Sequence, residues 1–183
     1  MKKEMITEVT TLAGGCFWCM EAVFLELKAV EKVVSGYIGG KTENPTYKEI
    51  CQGDTGHAEA IQVYFNPEEI SFGEILELFF ATHDPTTLNR QGNDVGTQYR
   101  SEIFYHNEEQ KVIAEDFIQF LEEEAVFEKP IVTKVSPTTI FYEAEDYHQN
   151  YYNQNKSQGY CAFVIAPKID KVRTYFKDKL KEN

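Results

Sequence analysis

No apolar run in this chain approaches the length needed to cross a bilayer, basic residues are outnumbered, and cysteine is too sparse for a disulfide framework. The missing run removes a transmembrane role. Met1-Lys2-Lys3-Glu4 leads into a polar segment rather than an apolar core, so no signal peptide is expected and a cytoplasmic protein is. Only 18 Lys and Arg face 30 Asp and Glu, a net charge of -12. Nucleic-acid binders concentrate cations, so no nucleic-acid partner is expected, and the acidity is assigned to solubility. The four cysteines include one CxxC pair, Cys16 and Cys19, while Cys51 and Cys161 stand alone. His57, His83, His106 and His148 contain no pair at zinc-site spacing, so the CxxC has no second half and no metal is expected. In a reducing compartment these thiols read as reactive groups rather than staples.

What is present is a chain of 183 residues with 42% hydrophobic content, enough to bury one core as a single domain over residues 1–183. It carries no internal repeat, low-complexity tract or linker. Its organising stretch is Gly14-Gly15-Cys16-Phe17-Trp18-Cys19-Met20-Glu21. Val9 to Ala13 upstream is β-branched and apolar enough for a strand, and Gly14-Gly15 frees the backbone for a sharp turn. Phe17, Met20, Phe24 and Leu27 then recur at steps of three and four, one face of a helix. Cys16 falls at the helix start, where unpaired N–H groups and the positive dipole end favour thiolate over thiol. A lone cysteine is more often an inert buried residue, but strand, Gly-Gly, cysteine and helix in series point to a nucleophile.

Val30 to Ile38 reads as a strand ending in the Gly39-Gly40 turn. Pro45 leaves Tyr47 either at the start of a short helical piece or as a surface aromatic in a loop. Ala58 to Phe65 alternates as a strand, and strict period two puts Glu59 on one face with Ile61, Val63 and Phe65. Strand fraying could turn Glu59 to water; the preferred reading is an apolar pocket that raises its pKa and keeps it protonated, able to donate a hydrogen bond. Ser71 and Glu74 form a capping box before a core helix carrying Ile75 to Phe80. His83 to Arg100 has no periodicity and many hydrogen-bonding side chains, the mark of a functional loop. Ser101 to Tyr105 resumes as a strand, Asn107 with Gln110 caps a helix, and Glu122-Glu123-Glu124 is its solvated face. Ile131 to Val135 and Thr139 to Tyr142 read as extended pieces. Glu145 to Tyr152 mixes polar and aromatic residues without a period, and Pro167 opens a last helix with the stripe Ile169, Val172, Phe176 and Leu180. Loose alternation of strands and helices favours an α+β two-layer domain, and no Gly-x-Gly-x-x-Gly supports a dinucleotide fold.

Gly15-Cys16-Phe17-Trp18 with Glu21, Gly56-His57-Ala58-Glu59, Gln91 through Ser101, and His148-Gln149 with Gly159-Tyr160-Cys161 together resemble peptide methionine sulfoxide reductase A, from about Val9 to Ile165. The resemblance implies reduction of the S epimer of methionine sulfoxide, free or in proteins, with no cofactor. It also implies a mixed, mainly antiparallel sheet in a two-layer sandwich with a ferredoxin-like core. The family's nucleophile corresponds to Cys16, its oxygen-binding residues to Tyr47, Glu59 and Tyr99, and its methyl pocket to Phe17 and Trp18 beside Tyr99. Asp94 matches a further polar residue of that site, or shapes only its own turn. A sulfoxide oxygen is a poor leaving group, so a thiolate must attack sulfur while an acid, here Glu59, protonates the oxygen.

That chemistry leaves a sulfenic acid, which condenses with a nearby thiol to a disulfide reduced from outside, with thioredoxin as the expected partner of a monomer. Cys161 matches the family's Gly-Tyr-Cys position and is preferred as the resolving thiol. Cys19 stands where many members have glycine, and it must bend the first helical turn to reach Cys16. Cys51 is expected to be a core or bystander thiol, and His148 a hydrogen-bonded packing residue. Two other classes stay open: a thioredoxin-like disulfide oxidoreductase using Cys16 and Cys19, and a peptide-binding module without turnover.

Overall fold

The structure, a computed structural model, describes residue 4 and residues 6–182, so the Met1-Lys2-Lys3 start considered above lies outside the described residues. In chain order the first half runs β1 (Glu8–Gly14), α1 (Phe17–Phe24), β2 (Val30–Ile38), α2 (Tyr47–Gln52), β3 (Ala58–Phe65) and α3 (Phe72–Thr82). The second half runs β4 (Arg90–Gln91), β5 (Asp94–Val95), β6 (Ser101–Tyr105), α4 (Glu108–Glu123), β7 (Lys134–Pro137), β8 (Phe141–Glu143), α5 (Tyr151–Gln154) and α6 (Ala166–Tyr175). The main sheet has the order β7-β6-β1-β3-β2-β8, mixed because β6 and β7 are parallel while the other pairs are antiparallel. Among the described residues no helix is long and apolar enough to cross a membrane.

Register decides what each strand buries. Leu12 lies opposite Ile61, so both point to the face where Val63, Phe65 and Tyr37 meet Phe17, Met20 and Phe24 of α1 and Ile75, Leu76 and Phe79 of α3. Burying each such Leu, Ile or Phe contributes roughly 1.5–3 kcal/mol. The other face carries small residues, Ala13, Ala58 and Ala60, under the ring of Phe104 and the packed ring of Phe141. Gly36 makes that closure possible, because a Cβ there would stand 2.3 Å from the Phe141 ring. The sheet therefore curls around a filled face instead of leaving it to solvent.

The β1, β2 and β3 spans agree with the strands expected from the sequence, the capping box expected at Ser71 is formed, and a second one is found at Thr46. Tyr47 is the first residue of α2, which settles its placement in favour of the helix start. Elsewhere the boundaries move. The expected strand at 131–135 is β7, Lys134–Pro137, because the Ile131 amide donates to Glu122 and the Val132 amide to the Pro85 carbonyl. The segment at 139–142 pairs only from Phe141, as β8. Within the loop expected at 83–100, β4 and β5 form a small hairpin through Gly92 and Asn93, followed by a 3-10 turn at Thr97–Tyr99. The last helix ends at Tyr175, yet Phe176 and Leu180 still pack against the core. One π-helical turn, Cys161–Ile165, runs directly into α6.

Candidate active site

The turn between β1 and α1 needs a positive φ, and Gly15 supplies it at +96°. Cys16 follows as the N-cap residue of α1, in extended conformation, with its carbonyl accepting the amides of Cys19 (3.1 Å) and Met20 (3.4 Å). An unused amide at the helix start, that of Phe17, donates to Glu59 Oε1 at 3.2 Å. That bond joins the nucleophile candidate and the acid candidate across one residue. Glu59 sits on β3 beside Tyr37 of β2, only 1% exposed, and its second oxygen, Oε2, has no protein partner.

Burial dominates the Glu59 carboxyl and pushes its pKa up to about 8, with Asp94 and Cys19 adding to the rise and the Phe17 amide opposing it. The carboxyl is therefore un-ionised at neutrality, as strand phase alone suggested. Its field reaches the groups around it. Tyr47 and Tyr99 both have raised pKa values, caused first by burial and next by Glu59, so both hydroxyls keep their protons as donors. Tyr47 is also fixed from behind: its amide donates to Glu145 Oε2 (3.1 Å), whose other oxygen accepts the Tyr37 hydroxyl (2.9 Å).

The expectation of a resting thiolate at Cys16 fails. Cys16 is 8% exposed, and burial, a hydrogen bond with Cys19 and the charge of Glu59 push its thiol well above the usual range. The dipole end is too weak to offset that desolvation. Cys19 is the thiol that ionises easily: the hydrogen bond from Cys16, the Lys168 ammonium and Tyr160 bring it down to about 7 against the effect of burial. Cys16 and Cys19 share one buried cluster, with Cys16 the extended N-cap residue of α1 rather than a helical one.

Phe17 is fully buried, its ring against Tyr37 and His148, whereas the half-buried Trp18 faces Tyr47 at 6.4 Å between ring centroids. Trp18 is held twice: its Nε1–H donates to His148 Nδ1 (2.9 Å), and its ring stacks on Tyr151 at 3.8 Å. Burial lowers the His148 pKa, leaving a neutral ring whose Nδ1 accepts. Asp94, on β5, accepts the Tyr160 hydroxyl at 2.8 Å, and that same hydroxyl lies 3.6 Å from Cys19 Sγ. Cys16, Cys19, Asp94, Tyr160 and Lys168 line a cavity of about 340 Å³. Cys161 is buried in the same apolar cluster as Cys16 and Cys19, while Cys51 is exposed, on α2, rather than in the core.

Sequence reasoning missed Tyr151, Tyr160, Lys168, Glu145 and the partner of His148. The aperiodic mixture of polar and aromatic residues from Glu145 to Tyr152 was the available signal, since a segment that packs without period is held by specific contacts. Glu21, also buried, accepts the Tyr151 amide (3.2 Å) and the Ser35 hydroxyl (3.4 Å), and so ties that segment to α1.

Comparison with known proteins agrees with this arrangement. The family model described as peptide methionine sulfoxide reductase matches residues 8–180. The peptide methionine sulfoxide reductase MsrA of Deinococcus radiodurans is 58% identical over 174 residues, 95% of this chain and 84% of that protein. The MsrA of Acinetobacter baumannii is 58% identical over 168 residues, 92% of this chain and 95% of that one. Among solved structures, Mxr1 from Saccharomyces cerevisiae in reduced form superposes with a TM-score of 0.81 at 35% identity, covering 90% of this chain and 94% of that one. Methionine sulfoxide reductase A of Corynebacterium diphtheriae gives a TM-score of 0.74 at 34% identity, covering 88% and 80%. With the family model spanning nearly all of it and relatives this similar, the chain belongs to the peptide methionine sulfoxide reductase family of oxidoreductases.

Proposed function

We propose that this protein reduces the S epimer of methionine sulfoxide, free or within polypeptides, with Cys16 as nucleophile and Glu59 as general acid. The observation that carries the reading is the un-ionised Glu59 carboxyl, tied through the Phe17 amide to the residue after Cys16. The sulfoxide oxygen takes a place against Glu59 Oε2, which has no protein partner, with the Tyr47 and Tyr99 hydroxyls as further donors. Trp18, held by His148 and Tyr151, walls the S-methyl group, with Phe17 behind it. Cys16 sulfur attacks the sulfoxide sulfur, the oxygen is protonated and passes to Cys16, and methionine leaves. The thiol becomes a sulfenic acid while the sulfoxide becomes a thioether, so electrons balance and no proton is gained or lost overall.

A disulfide with Cys161 or Cys19 then stores the oxidising equivalent, and thioredoxin reduces it. Asp94 accepts the Tyr160 hydroxyl, which supports reading it as a polar residue of the site that meets substrate through water. The domain is read as a single unit over residues 1–183, working as a cytoplasmic monomer. Its β1-α1-β2-β3-α3-β6 run, with strands ordered β6-β1-β3-β2, supports the description of a ferredoxin-like core. The test is consumption of each sulfoxide epimer by the purified protein with dithiothreitol. The S epimer is expected to disappear and the R epimer to remain; loss of neither epimer would refute the reading. Reduction of protein disulfides by Cys16 and Cys19 alone is disfavoured, since both sulfurs are buried away from a bulky disulfide.

A further inference from the structure

One segment holds the indole of Trp18 against movement in two directions. His148 accepts its Nε1–H, which ties one edge of the ring, and Tyr151 covers one face, with 3.8 Å between centroids and only 8° between the ring planes. The helix that carries Tyr151, α5, has little means of holding itself. It is four residues long, buries no side chain and lacks a side-chain cap, and Asn150 before it stands in the left-handed region at φ +55°. Its fastenings come from elsewhere in the fold.

Gln149 supplies one of them. Its amide oxygen accepts the Ser35 N–H (3.0 Å), and its amide nitrogen donates to the carbonyls of Ser35 (2.9 Å) and Ala144 (3.0 Å), which ties the segment to β2. Glu21 supplies the other. Only 2% exposed, it accepts the backbone amides of Asn150 and Tyr151 and, through its second oxygen, the Ser35 hydroxyl. Burying a carboxyl is costly, and this one does for α5 what a capping side chain does for an ordinary helix. Residues three apart on a helix are surface neighbours, so α1 itself fixes Glu21 relative to Trp18. Gln149 therefore references the segment to the sheet, whereas Glu21 references Tyr151 to the helix that carries Trp18.

We propose that Glu21 is a specificity-determining positioning residue: by holding the Asn150 and Tyr151 amides it keeps Tyr151 pressed on Trp18, and so restricts the alkyl group on the sulfoxide sulfur to methyl. The proposal deepens the sulfoxide reading and rests on it. With one face covered and one edge tied, the indole cannot retreat from a substrate lying against it. A methylene more than such a pocket admits costs about 10–200-fold in kcat/KM. A wall free to tilt gives up most of that discrimination. The role needs an acceptor and not a charge. In glutamine the side-chain oxygen still accepts the two backbone amides while Nε2 donates to Ser35 Oγ, since a hydroxyl accepts as well as donates. Methionine matches the length of glutamate without offering an acceptor of comparable strength.

The experiment compares kcat/KM for methionine S-sulfoxide and ethionine S-sulfoxide, with dithiothreitol as reductant, in wild type, Glu21→Met and Glu21→Gln. Acrylamide quenching of Trp18, the one tryptophan of the chain, is measured alongside. Wild type is expected to favour methyl over ethyl by about 10–200-fold. Glu21→Met is expected to lower that ratio by about tenfold and to make Trp18 emission easier to quench, and Glu21→Gln to keep both near the wild-type values. A folded Glu21→Met protein with the wild-type ratio overturns the proposal. So does a Glu21→Gln protein that loses the ratio as fully as Glu21→Met, because the acceptor is then not what matters. Where Glu21→Met does not fold, Tyr151→Leu removes the backing ring from its half-buried position, and an unchanged ratio there overturns the proposal equally. Wild type that reduces both sulfoxides alike refutes this inference and leaves the reaction standing, whereas wild type that reduces neither refutes the reaction itself.

Discussion

Replacing Glu59 by glutamine is expected to stabilise the protein while nearly abolishing turnover, and the pH dependence of the stability gain is the decisive part. Glu59 titrates near 8 in the folded chain against an ordinary value of 4.5, because burial penalises its charge. Between those values the native state keeps a proton that the unfolded chain gives up. Stability is therefore unaffected by this group below the unfolded value, falls by about 1.4 kcal/mol per pH unit through the window, and levels off above the folded one. At pH 7, some 2.5 units into the window, the penalty is on the order of 3 kcal/mol. Glutamine does not titrate, and its carbonyl oxygen retains the bond from the Phe17 amide. Urea midpoints for the two proteins at several pH values from 5 to 8 should thus diverge steadily, with wild type falling away from the variant. Over the same range kcat of the variant should lie about 10²–10⁴ below wild type, the usual weight of a positioned acid. Wild-type activity itself should fall as pH rises through 8 and the carboxyl ionises. Midpoints that track each other across the range would refute the protonated-acid reading, whatever the activity of the variant.

Three further outcomes are expected. Cys16→Ser should release no methionine even in a first turnover, measured by chromatography; full activity would end its assignment as nucleophile. Tyr47→Phe and Tyr99→Phe each remove one donor to the sulfoxide oxygen and should lower kcat by up to about 10²–10³ with KM little changed, so a pure KM effect would place them outside the oxygen site. Brief iodoacetamide treatment near neutral pH should label exposed Cys51 ahead of the buried Cys16, Cys19 and Cys161, read by peptide mass; early labelling of Cys16 would contradict its burial and raised pKa.

The parts of this site legible in the sequence are those set by local periodicity. Gly14-Gly15 before an apolar helical stripe places Cys16 at a helix start, and period two alone turns Glu59 inward with Ile61, Val63 and Phe65. Both hold because each depends on backbone geometry within a few residues. The ionisation of Cys16 was misread for the opposite reason. A helix start can be seen locally, but the desolvation that outweighs it comes from packing against distant segments, including the Tyr160–Cys161 region. The contact of Cys19 with Tyr160 and of Trp18 with His148 joins residues 141 and 130 positions apart, and no spacing rule reaches that far. The edge strands β7 and β8 were displaced because short extended runs choose their register by the backbone partners available, and Ile131 and Val132 had already spent their amides on Glu122 and Pro85.

Burial of both Cys16 and Glu59 creates an apparent difficulty, since a nucleophile is wanted ionised and both groups hold their protons at neutrality. The stoichiometry of the proposed step resolves it. Sulfoxide and thiol convert to thioether and sulfenic acid with no net proton taken up, so the site needs to relocate protons rather than import them. Under the proposed mechanism Glu59 gives its proton to the sulfoxide oxygen as that oxygen gains electrons, and the carboxylate so formed is the base that the Cys16 proton then needs. An exposed site would stabilise the resting thiolate but would also hold Glu59 ionised, leaving no acid for the oxygen. Exclusion of water, which costs Cys16 its charge, is the same condition that keeps the acid loaded.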